Sequence, residues 1–368
     1  MKLVLSVVGA RPNFMKIAPV MESLAGVEGI EQRLVHTGQH YDERMAHVFF
    51  RDLGLPRPDR DLEVGSGSQA EQTAAILTRF EKVLEEERPD LVVVVGDVNS
   101  TLAASLVAAK AQIPVAHVEA GLRSFDLSMP EEINRMVTDR LSTLLLTSSR
   151  DGDVNLRREG VPEERIHFVG NVMIDTLLRH REKAPWTAVR DRFGIEDRGF
   201  ALLTLHRPAN VDEPAAFSKI LEQLRPVAQR FPVIFPVHPR TARRLAENGL
   251  EKQASLLKLV EPLGYLDFLA LLDHAALVLT DSGGIQEDTT VLGVPCITIR
   301  DNTERPLTIE QGTNTLVGAD ARELPAAFAE FRKTGGKRGR IPEKWDGAAG
   351  ERVAQVLVDF LEPSRIRK

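Results

Sequence analysis

Short apolar runs rich in β-branched residues recur along the chain, each followed by a longer mixed polar and apolar stretch. Runs of this kind read as strands buried on both faces, as in a parallel sheet. The first series is "LVLSVVG" at 3–9, "QRLVHTG" at 32–38, "DLVVVVGD" at 90–97, "PVAHVEAG" at 114–121, "TLLLTSS" at 143–149 and "RIHFVGN" at 165–171. Helical stretches separate them, among them 69–87 and 100–111. After a polar segment at 180–197 the pattern restarts: "FALLTLH" at 200–206, "FPVIFPVHP" at 231–239, "LKLVEPLG" at 257–264, "ALVLTDSG" at 276–283 and "VPCITIR" at 294–300. Alternation of strands and helices predicts βαβ units with right-handed crossovers. The expectation is an α/β chain with two successive doubly wound sheets, joined near Asn171, and a last helix over about 350–361.

Length and composition refine this picture. A chain of 368 residues suits two domains. Its net charge of −6 and lack of a long basic run argue against a nucleic-acid partner. The single Cys296 excludes an internal disulfide and a Cys-based zinc site, and in "VPCITI" it reads as a buried small residue. The opening "MKLVLSVVGARP" has too short an apolar run for a signal core, and no stretch approaches the roughly 20 apolar residues of a membrane span. A cytoplasmic protein is the expectation.

In open α/β sheets, ligands bind beyond the carboxyl ends of the strands. Those ends carry Gly9-Ala10-Arg11, Asp97, Glu119, His206-Arg207, His238 with Arg240, and Ser282. Such a set points to a ligand held between two domains. In "TDSGGIQE", a strand, a Ser282-Gly283-Gly284 turn and a helix from about Ile285 would aim free N–H groups at an anion. Glu287 then suits a ligand that also carries a diol, such as ribose. The alternative is ordinary capping by Asp281 or Ser282. In "SMPEEINR", Ser128 and Glu131 match a capping box, and Glu131 with Arg135 an i,i+4 surface pair. Local sequence favours that structural reading, although the preceding loop "EAGLRSFD" carries Glu119, Arg123 and Asp126. "GSGSQA" at 65–70 matches a dinucleotide fingerprint only formally, because its preceding strand is short and polar. No nicotinamide cofactor and no metal site are expected.

In chain order, "GARPNFMK", "GQHYD", "GDVNST", "HVEAGLRSFD", "MPEEINR", "TLHRPAN", "TDSGGIQED", "DNTERP" and "GTN" span residues 9–314. Together they closely resemble the non-hydrolysing UDP-N-acetylglucosamine 2-epimerases, and "DGAAGERVAQVL" resembles that family's final helix. The resemblance implies a glycosyltransferase-B-like fold: two Rossmann-like domains, 1–170 and 171–350, flank a cleft, and the last helix, about 351–368, returns to the first. It implies interconversion of UDP-GlcNAc and UDP-ManNAc, by UDP elimination to 2-acetamidoglucal and re-addition, in a homodimer without a cofactor. Asp97, Glu119 and Glu131 are similar to the carboxylates working at C2 and the acetamido face, and Lys16 to the active-site lysine. Arg135 and His206 match positions near the sugar and diphosphate. Arg11, His206, Ser282, Gly283, Gly284 and Glu287 match UDP-binding positions, and Arg305 the same end of the site. Gln39 and His40, in "GQHYD", fall where the family has a second, activating site. Asn13 stands where an acid is usual, Val98 where Thr is common, Ser68-Gln69-Ala70 where Thr-His-Gly is common, and Tyr41 where many members carry Arg. The same chemistry on a UDP-diacetamido-uronic acid, or a glycosyltransferase of this fold, are the alternatives.

Overall fold

The computed structural model describes residues 1–39 and 54–362. It divides into two compact units: Met1–Thr176 with Glu343–Lys368, and Leu177–Pro342.

The first unit is built on seven parallel strands: β1 (Lys2–Val8), β2 (Ile30–His36), β3 (Arg60–Asp61), β4 (Leu91–Val95), β5 (Val115–Ala120), β6 (Leu144–Thr147) and β7 (Ile166–Phe168). Their order, β3-β2-β1-β4-β5-β6-β7, reverses between β1 and β4, which opens a crevice at the carboxyl ends of those two strands. β4 is buried along its whole length, as its unbroken "LVVVV" requires. Helix α1 (Arg11–Leu24) leaves the exit of β1, and α2 (Gln69–Glu87), α3 (Asn99–Lys110), α4 (Pro130–Leu141) and α5 (Arg150–Arg158) follow. The "GSGSQA" segment proves to be a helix start: Ser68 caps α2 and Glu71 returns a bond to the Ser68 amide at 2.9 Å. Ile76, Phe80, Val83 and Leu84 then form the buried stripe of α2.

After α6 (Val172–Arg181), the second unit holds six parallel strands in the order β10-β9-β8-β11-β12-β13. These are β8 (Ala201–Thr204), β9 (Val233–Pro236), β10 (Lys258–Val260), β11 (Leu277–Thr280), β12 (Cys296–Thr298) and β13 (Asn314–Leu316). The order reverses between β8 and β11, so His206 and Ser282 leave adjacent strand ends. Cys296 is buried on β12, and burial pushes its thiol up to about 11, which leaves it inert near neutrality. Helix α7 (Gly283–Leu292) follows β11. It starts two residues before the expected Ile285.

Helix α8 (Ala349–Leu361) packs on α1, where Gly350 lies against the Pro19 backbone so closely that a Cβ would stand 2.7 Å from its carbonyl. Its N-terminus is received by the buried Asp175, which accepts from the Ala349 and Gly350 amides at 3.1 and 2.6 Å. Burial nevertheless outweighs these bonds and pushes the Asp175 carboxyl up to about 6. A group raised in the folded state contributes stability that is complete below its unfolded pKa and lost as pH rises through the folded one. Asp175 should therefore cost up to about 3 kcal/mol between about pH 4 and pH 6. Asp175→Asn should flatten that part of the profile of unfolding free energy against pH, read by denaturant titration. An unchanged slope would refute the assignment. Among the described residues no helix is long and apolar enough to cross a membrane, and no group of three His, Cys, Asp or Glu is placed to hold a metal ion.

Candidate active site

In the first unit the polar groups gather at the exits of β1, β4 and β5 and at the start of α4. Asn13 turns the chain into α1, accepting from the Gly9 and Ala10 amides at 3.1 and 2.9 Å and donating to the Val95 carbonyl at 3.0 Å. One turn on, the buried Lys16 is ion-paired with the buried Glu119. Gly96, at φ +69, lies against this pair, and a Cβ there would stand 2.8 Å from Lys16 Nζ. Glu119 itself sits at φ +73, where the pairing of β5 with β6 slips by one residue. A non-glycine residue in that region is strained and persists only where its surroundings hold it.

Asp97 follows Gly96. Arg135 Nε and Nη2 donate to its Oδ2 at 3.1 and 2.8 Å, and Asn134 donates to its carbonyl at 2.9 Å. Arg135 also reaches Glu132 at 2.5 Å, and Glu132 accepts from the Ser124 and Phe125 amides, both at 2.9 Å. The expected capping box is absent: Met129 is the N-cap of α4 without a side-chain bond, and the Ser128 hydroxyl donates to Asp126 at 2.6 Å. Nor is Glu131 with Arg135 a surface pair, because Arg135 is buried and turned to Asp97 and Glu132. Glu131 is exposed, yet it lies three, four and seven residues before the buried Asn134, Arg135 and Thr138. It therefore stands at the open end of the stripe that faces the β4 exit. Pro130 at the first helical position and the needs of the 124–125 loop explain why Glu132, rather than Glu131, is spent on structure.

Arg123 turns inward, to Asp139 and Glu159, both at 2.7 Å. Gln39 is buried and accepts from the Ser100 amide and hydroxyl at 3.1 and 2.7 Å, which ties its loop to the start of α3. His40 and Tyr41 lie outside the described residues. Arg11 opens α1.

In the second unit Asp281 organises the β8 and β11 exits. It accepts from the His206 ring at 2.8 Å, the Arg207 amide at 2.9 Å and the Asn210 side chain at 3.0 Å. Burial alone would raise its pKa, but the bonds from His206 and the Arg207 amide outweigh it, and the carboxyl lies below its usual range. The His206 ring is 62% exposed, and with Nδ1 tied to Asp281 its Nε2 is the nitrogen left for a ligand. Ser282 is the N-cap of α7 but spends no side-chain bond on it, so capping does not account for the hydroxyl. Gly283 and Gly284 form the first turn of α7. At Gly283 a Cβ would stand 2.5 Å from Arg305 Nη1 and 2.7 Å from Glu304 Oε1. Glu287 is buried and pairs with Arg305 at 3.0 Å, and Glu304 bridges Arg305 to Arg300, the latter at 2.7 Å. His238 and Arg240, counted among the ligand-facing strand ends, bond locally: the His238 ring accepts from the Arg240 amide at 3.3 Å and Arg240 pairs with Asp212 at 2.5 Å.

The chain as a whole matches known proteins. The family model described as UDP-N-acetylglucosamine 2-epimerase matches residues 22–358. The chain belongs to the UDP-N-acetylglucosamine 2-epimerase family. It is 44% identical to the UDP-N-acetylglucosamine 2-epimerase of Methanocaldococcus jannaschii, over 95% of this chain and 97% of that one. It is 39% identical to the UDP-2,3-diacetamido-2,3-dideoxy-D-glucuronate 2-epimerase of Pseudomonas aeruginosa, over 96% and 99%. The crystal structure of the M. jannaschii enzyme in complex with UDP-GlcNAc and UDP superposes with a TM-score of 0.89 over 97% of this chain and 99% of that one. The family's enzymes are isomerases, and the two parallel-sheet units are their glycosyltransferase-B-like architecture.

Two further residues of α7 had no signal in isolation. Gln286 accepts from Thr303 at 2.8 Å and Asn314 at 3.0 Å, so "DNTERP" and "GTN" together brace α7. Asp288 is buried with Oδ1 unpartnered, and burial followed by the Glu287 charge holds its carboxyl well above the usual range. Their spacing from Ser282 was visible, but their long-range partners were not.

Proposed function

We propose that this chain epimerises UDP-GlcNAc and UDP-ManNAc at C2. What carries the reading is the trio Asp97, Glu119 and Glu131, with two members held by buried cations and the third open at a helix start. A carboxylate takes the C2 proton as the C1–O bond breaks, its electrons leaving with UDP, and 2-acetamidoglucal forms. UDP oxygen then re-adds at C1 while a carboxylic acid protonates C2 from the opposite face. Lys16 holds Glu119 and balances its charge, and Arg135 fixes Asp97. The α7 N-terminus, the Ser282 hydroxyl, Arg11 and His206 take the growing diphosphate charge. Arg305 is placed by Glu287 and Glu304, and Glu287 is the acceptor for the ribose hydroxyls.

Proton NMR with UDP-GlcNAc in D₂O, without added metal or nicotinamide, tests this. UDP-ManNAc bearing deuterium at C2 is the expected product. The 39% identity to the P. aeruginosa enzyme favours one second reading, the same chemistry on UDP-2,3-diacetamido-2,3-dideoxy-D-glucuronate. Exchange with that sugar and none with UDP-GlcNAc would select it.

Gly283→Ala should weaken UDP binding about tenfold, about 1.4 kcal/mol by calorimetry, because its methyl group displaces Arg305 or Glu304. Unchanged affinity would remove the α7 start from the UDP site. A homodimer is also expected: Ile133, Met136 and Val137 are exposed on α4, and Ile133 lines one groove with Leu77 of α2 and Leu102 of α3. Sedimentation should read two chains, and Val137→Asp one.

A further inference from the structure

Beneath the carboxylates lies a buried charge cluster with no part in the scheme above. His117 on β5 and Asp139 on α4 are both fully buried, and His117 Nδ1 meets Asp139 Oδ1 at 2.6 Å. The other ring nitrogen, Nε2, meets the Gly96 carbonyl at 2.8 Å. The second carboxylate oxygen of Asp139 accepts from the Gly121 amide at 3.1 Å and from Arg123 at 2.7 Å. One carboxylate thus holds the residues two before and two after Glu119, the residue in the left-handed region. Through the His117 ring it also holds Gly96, which lies against Lys16 Nζ and directly precedes Asp97. Both acceptors facing the ring are oxygens, a carboxylate and a carbonyl. The ring therefore bridges the Asp139 carboxylate and the Gly96 carbonyl.

We propose that His117, clamped by Asp139, is a positioning residue of the epimerisation: it fixes the Gly96 carbonyl, and with it the placement of Asp97 and Glu119. The proposal rests on the epimerase reading for its kinetic consequence. Neither residue touches the sugar. Small displacements of reacting groups are costly, with about 1 Å of misplacement able to cost on the order of 10²-fold in rate.

The experiment has two arms. Proton NMR of the full-length protein should show a downfield histidine ring N–H signal from the His117–Asp139 hydrogen bond, absent from His117→Gln. A spectrum without that signal would overturn the clamp, and this arm does not depend on what the enzyme turns over. In the second arm, His117→Gln and Asp139→Asn should each lower kcat by about 10²-fold while KM and the UDP dissociation constant stay within about threefold. Counting sites by UDP titration separates this from partial unfolding, which lowers active fraction rather than turnover per site. Turnover per site within threefold of wild type in either variant would overturn the positioning role. If Asp139→Asn does not fold, His117→Gln carries the kinetic arm. Absence of turnover in the wild type would instead strike the epimerase reading and leave the clamp to the NMR arm.

Discussion

Asp97→Asn and Glu131→Gln should each lower turnover by about 10² or more and leave UDP affinity nearly unchanged. Both substitutions keep the shape of the side chain and remove its capacity to take or give a proton. Asp97 is pinned by two Arg135 nitrogens and, through its carbonyl, by Asn134. Asn at this position can still accept from Arg135, so the fold around β4 should survive. Glu131 is exposed and contributes no cap to α4, so Gln there should cost little stability. The groups proposed to bind UDP lie mainly at the exits of β8 and β11, which neither change touches. Deuterium incorporation at C2 and UDP calorimetry on the same preparations separate the two effects. Unchanged turnover in both variants would mean that the carboxylates are wrongly assigned.

The strands at the heart of both sheets could be read because burial on two faces demands continuous apolar runs, and β1, β4, β8 and β11 have them. β3 and β13 went unread. Both are edge strands: β3 is two exposed residues, and β13 is three residues with only Asn314 buried. Neither has enough apolar surface to leave a pattern. In the site, the strand-exit positions of Asp97, Glu119, His206 and Ser282 were legible from topology alone. Their partners were not. Lys16 pairs across 103 residues and Arg135 across 38, and no local rule reaches that far. Local rules misled at Glu131, because Ser128 is captured by Asp126 and the adjacent Glu132 takes the structural work. The two neighbouring acids look alike in sequence and differ only in which way the helix turns them.

Lys16→Met should cost about 3–5 kcal/mol of stability, the usual effect of removing one partner of a buried pair, and should abolish turnover. Lys16 and Glu119 are both buried, so the carboxylate would keep its charge without its cation, in a residue already strained at φ +73. Glu119→Gln should also be destabilising, since it leaves an ammonium buried without its carboxylate. The double variant Lys16→Met with Glu119→Gln removes both charges together. Neutral replacements of buried pairs are often close to isoenergetic with the pair itself, so most of the lost stability should return. Turnover should not return, because the proposed reaction needs the Glu119 carboxylate that this variant lacks. Urea unfolding of the four proteins gives the coupling free energy directly. A double variant no more stable than Lys16→Met would show that the two side chains are not energetically coupled. Recovered turnover would remove both from the chemistry and leave Asp97 and Glu131 to carry the C2 proton alone.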